Sequence, residues 1–223
     1  MDPLAGTPWS TPETVAGFTA SAPNASLLAF AQGRRPGWAL DIGCGAARNA
    51  LPLALNGWRV LGLDLSWPML EAAARRARAA AAGRPLHLAL APMERLPVRD
   101  RSVDLVIAHG IWNLAASGRQ FRAAVDEAAR VAAPGAGLFV FTFSRHTLPD
   151  QARPIPGETF VFTDFSGHPQ CFLEREALLA ELERSGFRPD PAVPLHELNR
   201  PPAGSLLAGS GPVIWEGTFR RIG

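Results

Sequence analysis

An apolar segment that stops at a pair of glycines constrains this chain more than any other feature. Residues 39–49 read Ala-Leu-Asp-Ile-Gly-Cys-Gly-Ala-Ala-Arg-Asn, a pattern that predicts a buried strand, a tight turn and the start of a helix. Glycine lets the backbone approach a ligand closely, and the first amides of a helix are free to bind polar ligand atoms. The segment is therefore typical of a site for a nucleotide-like cofactor at the end of a strand.

The position three residues after the second glycine indicates which cofactor. Dinucleotide-binding sites have a third glycine there, where the helix packs closely on the strand, whereas this chain has Arg48. Asp41 lies two residues before the first glycine, as an acid does in sites for S-adenosylmethionine. On these residues the segment resembles the class I methyltransferases, and the resemblance implies S-adenosylmethionine as the cofactor.

A second acid supports the same interpretation. Asp64 ends the next predicted strand, about twenty residues after the glycines, where a carboxylate can accept hydrogen bonds from both ribose hydroxyls. Taken alone, Asp64 would be a surface acid that caps a helix together with Ser66. Combined with the glycine turn, it favours a ribose contact.

Later segments extend the resemblance. Residues 91–97 and 101–106 are similar to the adenine-side loop and fourth strand of the family. Pro92 stands where many members have an aspartate that binds adenine, so we expect Glu94 or the backbone around Met93 to contact the base. Ala47 occupies the family's third glycine position, where alanine is compatible with helical geometry. The implied cofactor-binding set is Asp41, Gly43, Cys44, Gly45, Arg48, Asn49, Asp64, Leu65, Met93, Glu94 and His109.

Two members of this set have open alternatives. Arg48 and Asn49 either face the methionine portion of the cofactor or cap and solvate the start of the helix. Cys44 is interpreted as a small residue that fills the turn, and not as a nucleophile.

Regular alternation of apolar and polar segments predicts the fold. Strands are expected at 39–42, 59–63, 86–90, 103–108 and 137–143, and helices at 47–55, 67–82 and 119–132, which is the order of a parallel sheet. A strand at 159–165, a helix at 174–184 and strands near 187–197 and 212–220 follow. The resemblance implies a Rossmann-like, doubly wound α/β fold: a mostly parallel, seven-stranded sheet that ends in an antiparallel hairpin, with helices on both faces.

Residues near the carboxyl ends of the predicted strands are candidates for binding the methyl acceptor, because ligands of parallel sheets bind there. His109 and His146 are candidates for proton transfer, and no other catalytic residue is identified. Trp112 either forms the floor of a substrate site or packs in the core. The expected substrate contacts are Trp112, Asn113, Arg145, Phe18 and Trp9.

The chain is expected to form a single domain at 38–223, preceded by a cap or lid at 1–37. The first 37 residues are rich in proline, serine and threonine and contain a predicted helix near 25–31. This helix either belongs to a lid over the site or merely covers the sheet.

Composition excludes several classes of function. The chain has no tyrosine and all 22 of its basic residues are arginine, so neither a P-loop lysine nor the Tyr-x-x-x-Lys pair of short-chain dehydrogenases is possible. The arginines are scattered and the net charge is +2, which indicates no nucleic-acid partner. No apolar run has the length of a membrane span, and the two cysteines lack the spacing of a metal site. We expect a cytoplasmic protein without a metal.

The sequence therefore predicts an S-adenosylmethionine-dependent enzyme that methylates a small molecule. The glycine segment is also similar to small bacterial methyltransferases of the tellurite-resistance and thiopurine kind. Two alternatives remain at this point. One is a nicotinamide-dependent oxidoreductase, which Arg48 and the absence of tyrosine and lysine disfavour, and the other is a catalytically inert protein that binds S-adenosylmethionine.

Overall fold

The computed structural model describes residues 2–80, 86–200 and 211–223. Its helices are α1 Pro12–Ala20, α2 Ala25–Gln32, α3 Ala50–Leu55, α4 Trp67–Ala79, α5 Gly118–Val131 and α6 Arg175–Arg184. Its strands are β1 Trp38–Ile42, β2 Arg59–Asp64, β3 Leu86–Leu90, β4 Val103–His109, β5 Ala132–Phe143, β6 Val161–Phe162, β7 Gln170–Cys171, β8 Phe187–Pro189, β9 His196–Leu198 and β10 Ile214–Arg221. The expected end of α4 near residue 82 lies outside the described residues.

The main sheet has the strand order β3-β2-β1-β4-β5-β10-β8, and β9 also pairs with β10. The strands from β3 to β5 are parallel, and β10 runs antiparallel to β5. Because β5 occupies one edge of β10, the short strands β8 and β9 share the other edge. Eight strands therefore fill seven positions in the described part of the chain, and the predicted fold class is confirmed.

The segment between β8 and β9 differs from its prediction. A continuous strand was expected near 187–197, but Pro191 and Pro194 have no amide hydrogen to donate to a neighbouring strand. A turn fills the gap, in which the Asp190 side chain accepts a hydrogen bond from the amide of Ala192 at 3.0 Å.

The strand predicted at 159–165 is shorter than expected. Only Val161–Phe162 pairs, with Gln170–Cys171 in a separate two-stranded sheet. The chain then turns through Gly167, whose φ of 75° is left-handed and whose amide donates to the carbonyl of Thr163.

Both faces of the parallel sheet are buried. Val106 and Ala108 of β4 belong to one apolar cluster, which includes Phe121 of α5, while Leu105 and Ile107 belong to the cluster on the opposite face. Alternate residues of one strand thus pack on helices above and below the sheet.

No helix in the described residues is long and apolar enough to cross a membrane.

The glycine turn is longer than predicted. Helix α3 begins at Ala50, not at 47, and Ala47 has a left-handed φ of 58° and is completely buried. The expectation that alanine sits there in helical geometry is therefore wrong. The position carries a backbone conformation that glycine adopts without strain, so the alanine costs stability.

We predict that Ala47→Val reduces the free energy of unfolding by about 2 to 3 kcal/mol, because a β-branched residue is strained at this φ and has no room. Ala47→Gly should stay within about 1 kcal/mol, because relief of strain offsets the loss of a buried methyl group. Urea denaturation measures the free energy of unfolding of both variants. Equal losses in the two variants would show that backbone conformation at Ala47 is not the controlling factor.

Candidate functional site

A cavity of about 400 Å³ lies where β1, β2, β4 and β5 end. Its wall contains residues from each of these strands, from the segments that follow β1, β2, β3 and β4, from helices α4 and α5, and from the first 18 residues of the chain. They are Leu4, Trp9, Phe18, Ile42, Gly43, Gly45, Arg48, Asp64, Leu65, Ser66, Met69, Ala91, Met93, Glu94, His109, Gly110, Ile111, Leu114, Gln120 and Phe141.

The glycine turn forms one side of the cavity. Gly43 and Gly45 have left-handed φ values of 69° and 52°, and a Cβ atom at Gly43 would lie 2.7 Å from the Cδ1 atom of Ile111. Cys44 does not line the cavity: its side chain is buried beneath the turn, and burial raises the pKa of its thiol well above the usual value. It fills space, and it is not a nucleophile.

Asp64 lies at the end of β2 with both carboxylate oxygens already oriented. Oδ2 accepts a hydrogen bond from the amide of Gly45, and Oδ1 accepts one from the amide of Ser66, both at 2.8 Å. Burial raises the pKa of this carboxyl, and the backbone hydrogen bonds act in the opposite direction. Each oxygen keeps a further lone pair, so Asp64 both supports the start of α4 and can receive a diol.

Leu65, Met93 and Glu94 also line the cavity. The side chain of Gln120 donates to Glu94 Oε1 at 3.2 Å and joins the same wall. Sequence reasoning missed Gln120 because it lies in the first turn of α5, and only the packing of that helix brings it to the cavity.

Asp41 and Asn49 lie behind the cavity wall. Asp41 is 2% exposed, and the backbone amide of Ala50 at the start of α3 lies near its carboxyl and favours the charged form. Burial, together with the nearby Asp64, raises the pKa of Asp41 to about 7. The side chain of Asn49 accepts from the amide of Asn24 at 2.9 Å. Both residues hold the turn in place and do not line the cavity.

His109 and Arg48 form the wall at the end of β4. The imidazole stacks on Phe141 with ring centroids 4.1 Å apart, and Arg48 Nη2 lies 3.1 Å from His109 Nδ1. Burial, and then the charge of Arg48, lower the pKa of His109 to about 3. The ring is therefore neutral at physiological pH and is a weak base.

The cavity brings together only part of the expected substrate set. Trp9 and Phe18 line it, with rings in an edge-to-face arrangement at 6.1 Å. Trp112 is fully buried and packs on Phe121, because a short helical turn at 112–114 directs it into the core. Asn113 is buried with it. Trp112 and Asn113 therefore lie in the core, and the expectation that they contact the substrate is corrected.

Arg145 and His146 also lie outside the cavity wall. Arg145 donates to the carbonyl oxygens of Leu148, Pro149, Asp150 and Ala152 and so holds its own loop together. His146 Nδ1 lies 2.6 Å from Glu197 Oε1, which joins the end of β5 to β9. The roles expected for these two residues in substrate binding and proton transfer find no support in their positions.

Asp41 and His109 predict opposite effects of pH on stability. With a folded pKa of about 3, His109 lowers the free energy of unfolding as pH falls below its unfolded value of about 6.5. With a folded pKa of about 7, Asp41 raises the free energy of unfolding as pH falls from 7 towards its unfolded value near 4. Each effect amounts to at most about 1.4 kcal/mol per pH unit.

Urea unfolding at about pH 5 and pH 7 separates the two effects. Relative to the unsubstituted protein, His109→Phe should gain stability on acidification, and Asp41→Asn should lose it. The same pH dependence in all three proteins would contradict both assignments.

Sequence comparisons identify relatives of the chain. Residues 40–141 match a family described as a methyltransferase domain. A malonyl-[acyl-carrier protein] O-methyltransferase from Enterobacter lignolyticus is 36% identical over 185 residues, which are 82% of this chain and 66% of that protein. A demethylmenaquinone methyltransferase from Corynebacterium glutamicum is 33% identical over 111 residues, which are 49% of this chain and 43% of that protein. The chain thus spans less than two thirds of the length of either relative.

A comparison with solved structures finds the same fold in a known methyltransferase. The 1,6-didemethyltoxoflavin-N1-methyltransferase of Burkholderia thailandensis superposes with a TM-score of 0.66 at 19% identity, over 89% of this chain and 77% of that one. The matched residues 40–141 include the glycine turn and Asp64, which surround the cavity. The chain therefore belongs to the class I methyltransferases, whose cofactor is S-adenosylmethionine.

Proposed function

We propose that the chain transfers the methyl group of S-adenosylmethionine to a small or carrier-linked acceptor that is already ionised, with a carboxylate as the leading candidate. The observation that carries this proposal is the position of His109, the cavity residue at the end of β4: its imidazole is stacked on Phe141, and the guanidinium of Arg48, 3.1 Å from Nδ1, opposes its protonation. An acceptor that must first lose a proton needs a stronger base near it. A carboxylate needs none, because it is ionised at neutral pH.

The cavity residues fit the cofactor. In this proposal Asp64 accepts the ribose hydroxyls, and Met93 and Glu94 hold the adenine with help from Gln120, as their positions in the cavity wall support. Gly43 and Gly45 line the cavity with bare backbone, which the methionine portion would approach closely. Ile111 packs where a Cβ atom at Gly43 would lie. The cofactor supplies a methyl group on a sulfonium sulfur, and the chain's own contribution is alignment and exclusion of water.

The first part of the chain supports an acceptor with an apolar body. Leu4, Trp9 and Phe18 face the same cavity as Ile111 and Phe141. The carbonyl of Trp9 accepts a hydrogen bond from the Ser66 hydroxyl at 3.1 Å. On these contacts we propose that residues 1–37 act as a cap and that 38–223 form the catalytic domain.

The relatives named above are methyltransferases, and they give no support to the nicotinamide alternative. A malonyl-[acyl-carrier protein] O-methyltransferase is among them, which supports a carboxylate joined to a carrier. The narrower likeness to tellurite-resistance and thiopurine methyltransferases stays a prediction.

The proposal predicts turnover with a malonyl thioester of pantetheine, whose carboxylate is free, and none with the corresponding methyl ester. The rate should show no increase with pH of the kind that deprotonation of the acceptor or of His109 would cause, because neither changes its charge between about pH 6 and pH 8. Transfer of a labelled methyl group to the acceptor measures the turnover and its dependence on pH. Phenols, amines and thiols serve as comparison acceptors.

Two results would contradict the proposal. Turnover of a phenol at a rate that rises with pH would indicate a base, and S-adenosylhomocysteine binding without turnover of any acceptor would favour the inert alternative.

The role of Asp64 gives a separate prediction. Asp64→Asn should weaken S-adenosylhomocysteine binding by about 1.5 to 3 kcal/mol, because hydrogen bonds to a charged acceptor are lost. Titration calorimetry measures the affinity. Asp104→Asn is a matched control, because Asp104 also accepts a backbone amide, from Trp38 at 2.8 Å, but lies outside the cavity wall. Equal affinities for the unsubstituted protein and Asp64→Asn would rule out the ribose contact.

A further inference from the structure

The first 20 residues of the chain face the side of the cavity that the glycine turn and Asp64 form. A Cβ atom at Gly45 would lie 3.3 Å from Cδ1 of Phe18, so the ring of Phe18 rests on the turn. Trp9 lines the same cavity. A cofactor held by Asp64 and the turn would therefore be enclosed on one side by residues 2–20, which we call the flap.

Two residues at the start of α4 hold the flap by hydrogen bonds. The hydroxyl of Ser66 donates to the carbonyl of Trp9 at 3.1 Å and lies at the same distance from the hydroxyl of Ser10. The amide of Trp67 donates to Asp2 Oδ1 at 3.1 Å. Because Ser66 gives its one proton to Trp9, Ser10 is the donor in the pair of hydroxyls. We call these hydrogen bonds the latch.

The latch is joined to the acid that is expected to receive the ribose. The amide of Ser66 donates to Asp64 Oδ1 at 2.8 Å, and the hydroxyl of Ser66 also accepts from the amide of Met69 at 3.4 Å. Ser66 is completely buried, so water does not replace a partner that it loses. A displacement of Ser66 therefore disturbs Asp64 and the flap together.

The helix of the flap is held more weakly than the latch. Helix α1 buries none of its residues. Val15 and Phe18 are only partly buried where they pack on a small cluster of Ala46, Met69 and Ala72. Segments with few buried contacts open at low free-energy cost. Opening of the latch would therefore free the flap from α4.

Asn24 gives the flap a fixed end. Its backbone amide donates to Asn49 Oδ1 at 2.9 Å, and its side chain donates to Glu216 Oε2 at 2.7 Å. These bonds tie the start of α2 to the glycine turn and to β10. Residues 21–23, between α1 and Asn24, have no regular secondary structure, so backbone rotation there can move the flap without disturbing the sheet.

We propose that the flap is a gate for the cofactor, which enters and leaves the cavity when the latch at Ser66 opens and the flap turns about residues 21–23. In the closed state Trp9 and Phe18 contact the bound cofactor, and in the open state they do not, so cofactor binding favours closure. The inference rests on the part of the proposed function that places the cofactor between Asp64 and the glycine turn, and not on the nature of the acceptor.

A disulfide across the latch tests the gate directly. Both cysteines of the chain are buried, so the double variant Ser10→Cys with Ser66→Cys has one accessible pair of thiols. The variant is loaded with labelled S-adenosylhomocysteine and oxidised, and release of the label into excess unlabelled ligand is followed. Oxidation should slow release by about 10-fold or more, and dithiothreitol should restore it. The comparison is made within one protein, so other effects of the substitutions cancel.

Ser10→Cys alone, treated with the same oxidant, is the matched control and should release the label at one rate throughout. Equal release from the oxidised and reduced double variant overturns the gate. Failure of the two thiols to cross-link, read by mass spectrometry, overturns the contact on which the latch depends. Calorimetry of Asp64→Asn separates the two proposals: an unchanged affinity contradicts the placement of the cofactor, whereas a weakened affinity with unslowed release contradicts the gate alone.

Hydrogen exchange of the unsubstituted protein gives an independent test. S-Adenosylhomocysteine should slow exchange of the amides of α1 and leave those of α6 unchanged, because no residue of α6 lines the cavity. Equal exchange in α1 with and without the ligand overturns the proposal.

A single substitution in the latch should also change the rate of release. Ser10→Ala removes one hydrogen bond and should speed release of labelled S-adenosylhomocysteine by about 3- to 10-fold. Thr19→Val is the control, because the hydroxyl of Thr19 donates to the carbonyl of Val15 within α1 at 2.7 Å and takes no part in the latch. Equal release rates for Ser10→Ala and the unsubstituted protein overturn the latch.

Discussion

Burial of the central strands on both faces is the constraint on which the rest of the structure depends. The interior of β1 and β4 contacts helices above and below the sheet, so ionisable side chains can face a ligand only where the strands end. Asp64 and His109 occupy such ends. Asp41 is an ionisable residue buried within β1 that faces no ligand, and its carboxyl is tolerated because the charge of Arg48 and the amide of Ala50 compensate in part for the loss of water.

Sequence patterns predicted the parallel strands and the position of Asp64, because these depend on strand periodicity and on short-range turn chemistry, and the resemblance to the family implied the antiparallel end of the sheet. They did not predict which way a side chain points just beyond a strand. Trp112 lies only three residues after His109, yet one helical turn directs it into the core. Ala47 shows the same limit at the backbone, since its left-handed φ arises from the whole turn and not from alanine's own preference.

Contacts between distant segments were the least predictable part of the site. Gln120 reaches Glu94 only because α5 packs beside the loop after β3. Asn24 brings α2, α3, β4 and β10 together through hydrogen bonds to residues 25, 85 and 192 positions away. Helix α1, in contrast, buries none of its residues, and segments with few buried contacts open at low free-energy cost.

The interrupted pairing of β8 and β9 along β10 also has a consequence for the molecule's behaviour in concentrated solution. An unbroken edge strand offers a row of free amides and carbonyls to which another chain can add. Here the edge consists of two three-residue strands separated by Pro191 and Pro194. A second molecule could extend the sheet by only a few hydrogen bonds before meeting proline, so this side of the sheet is protected against edge-to-edge aggregation.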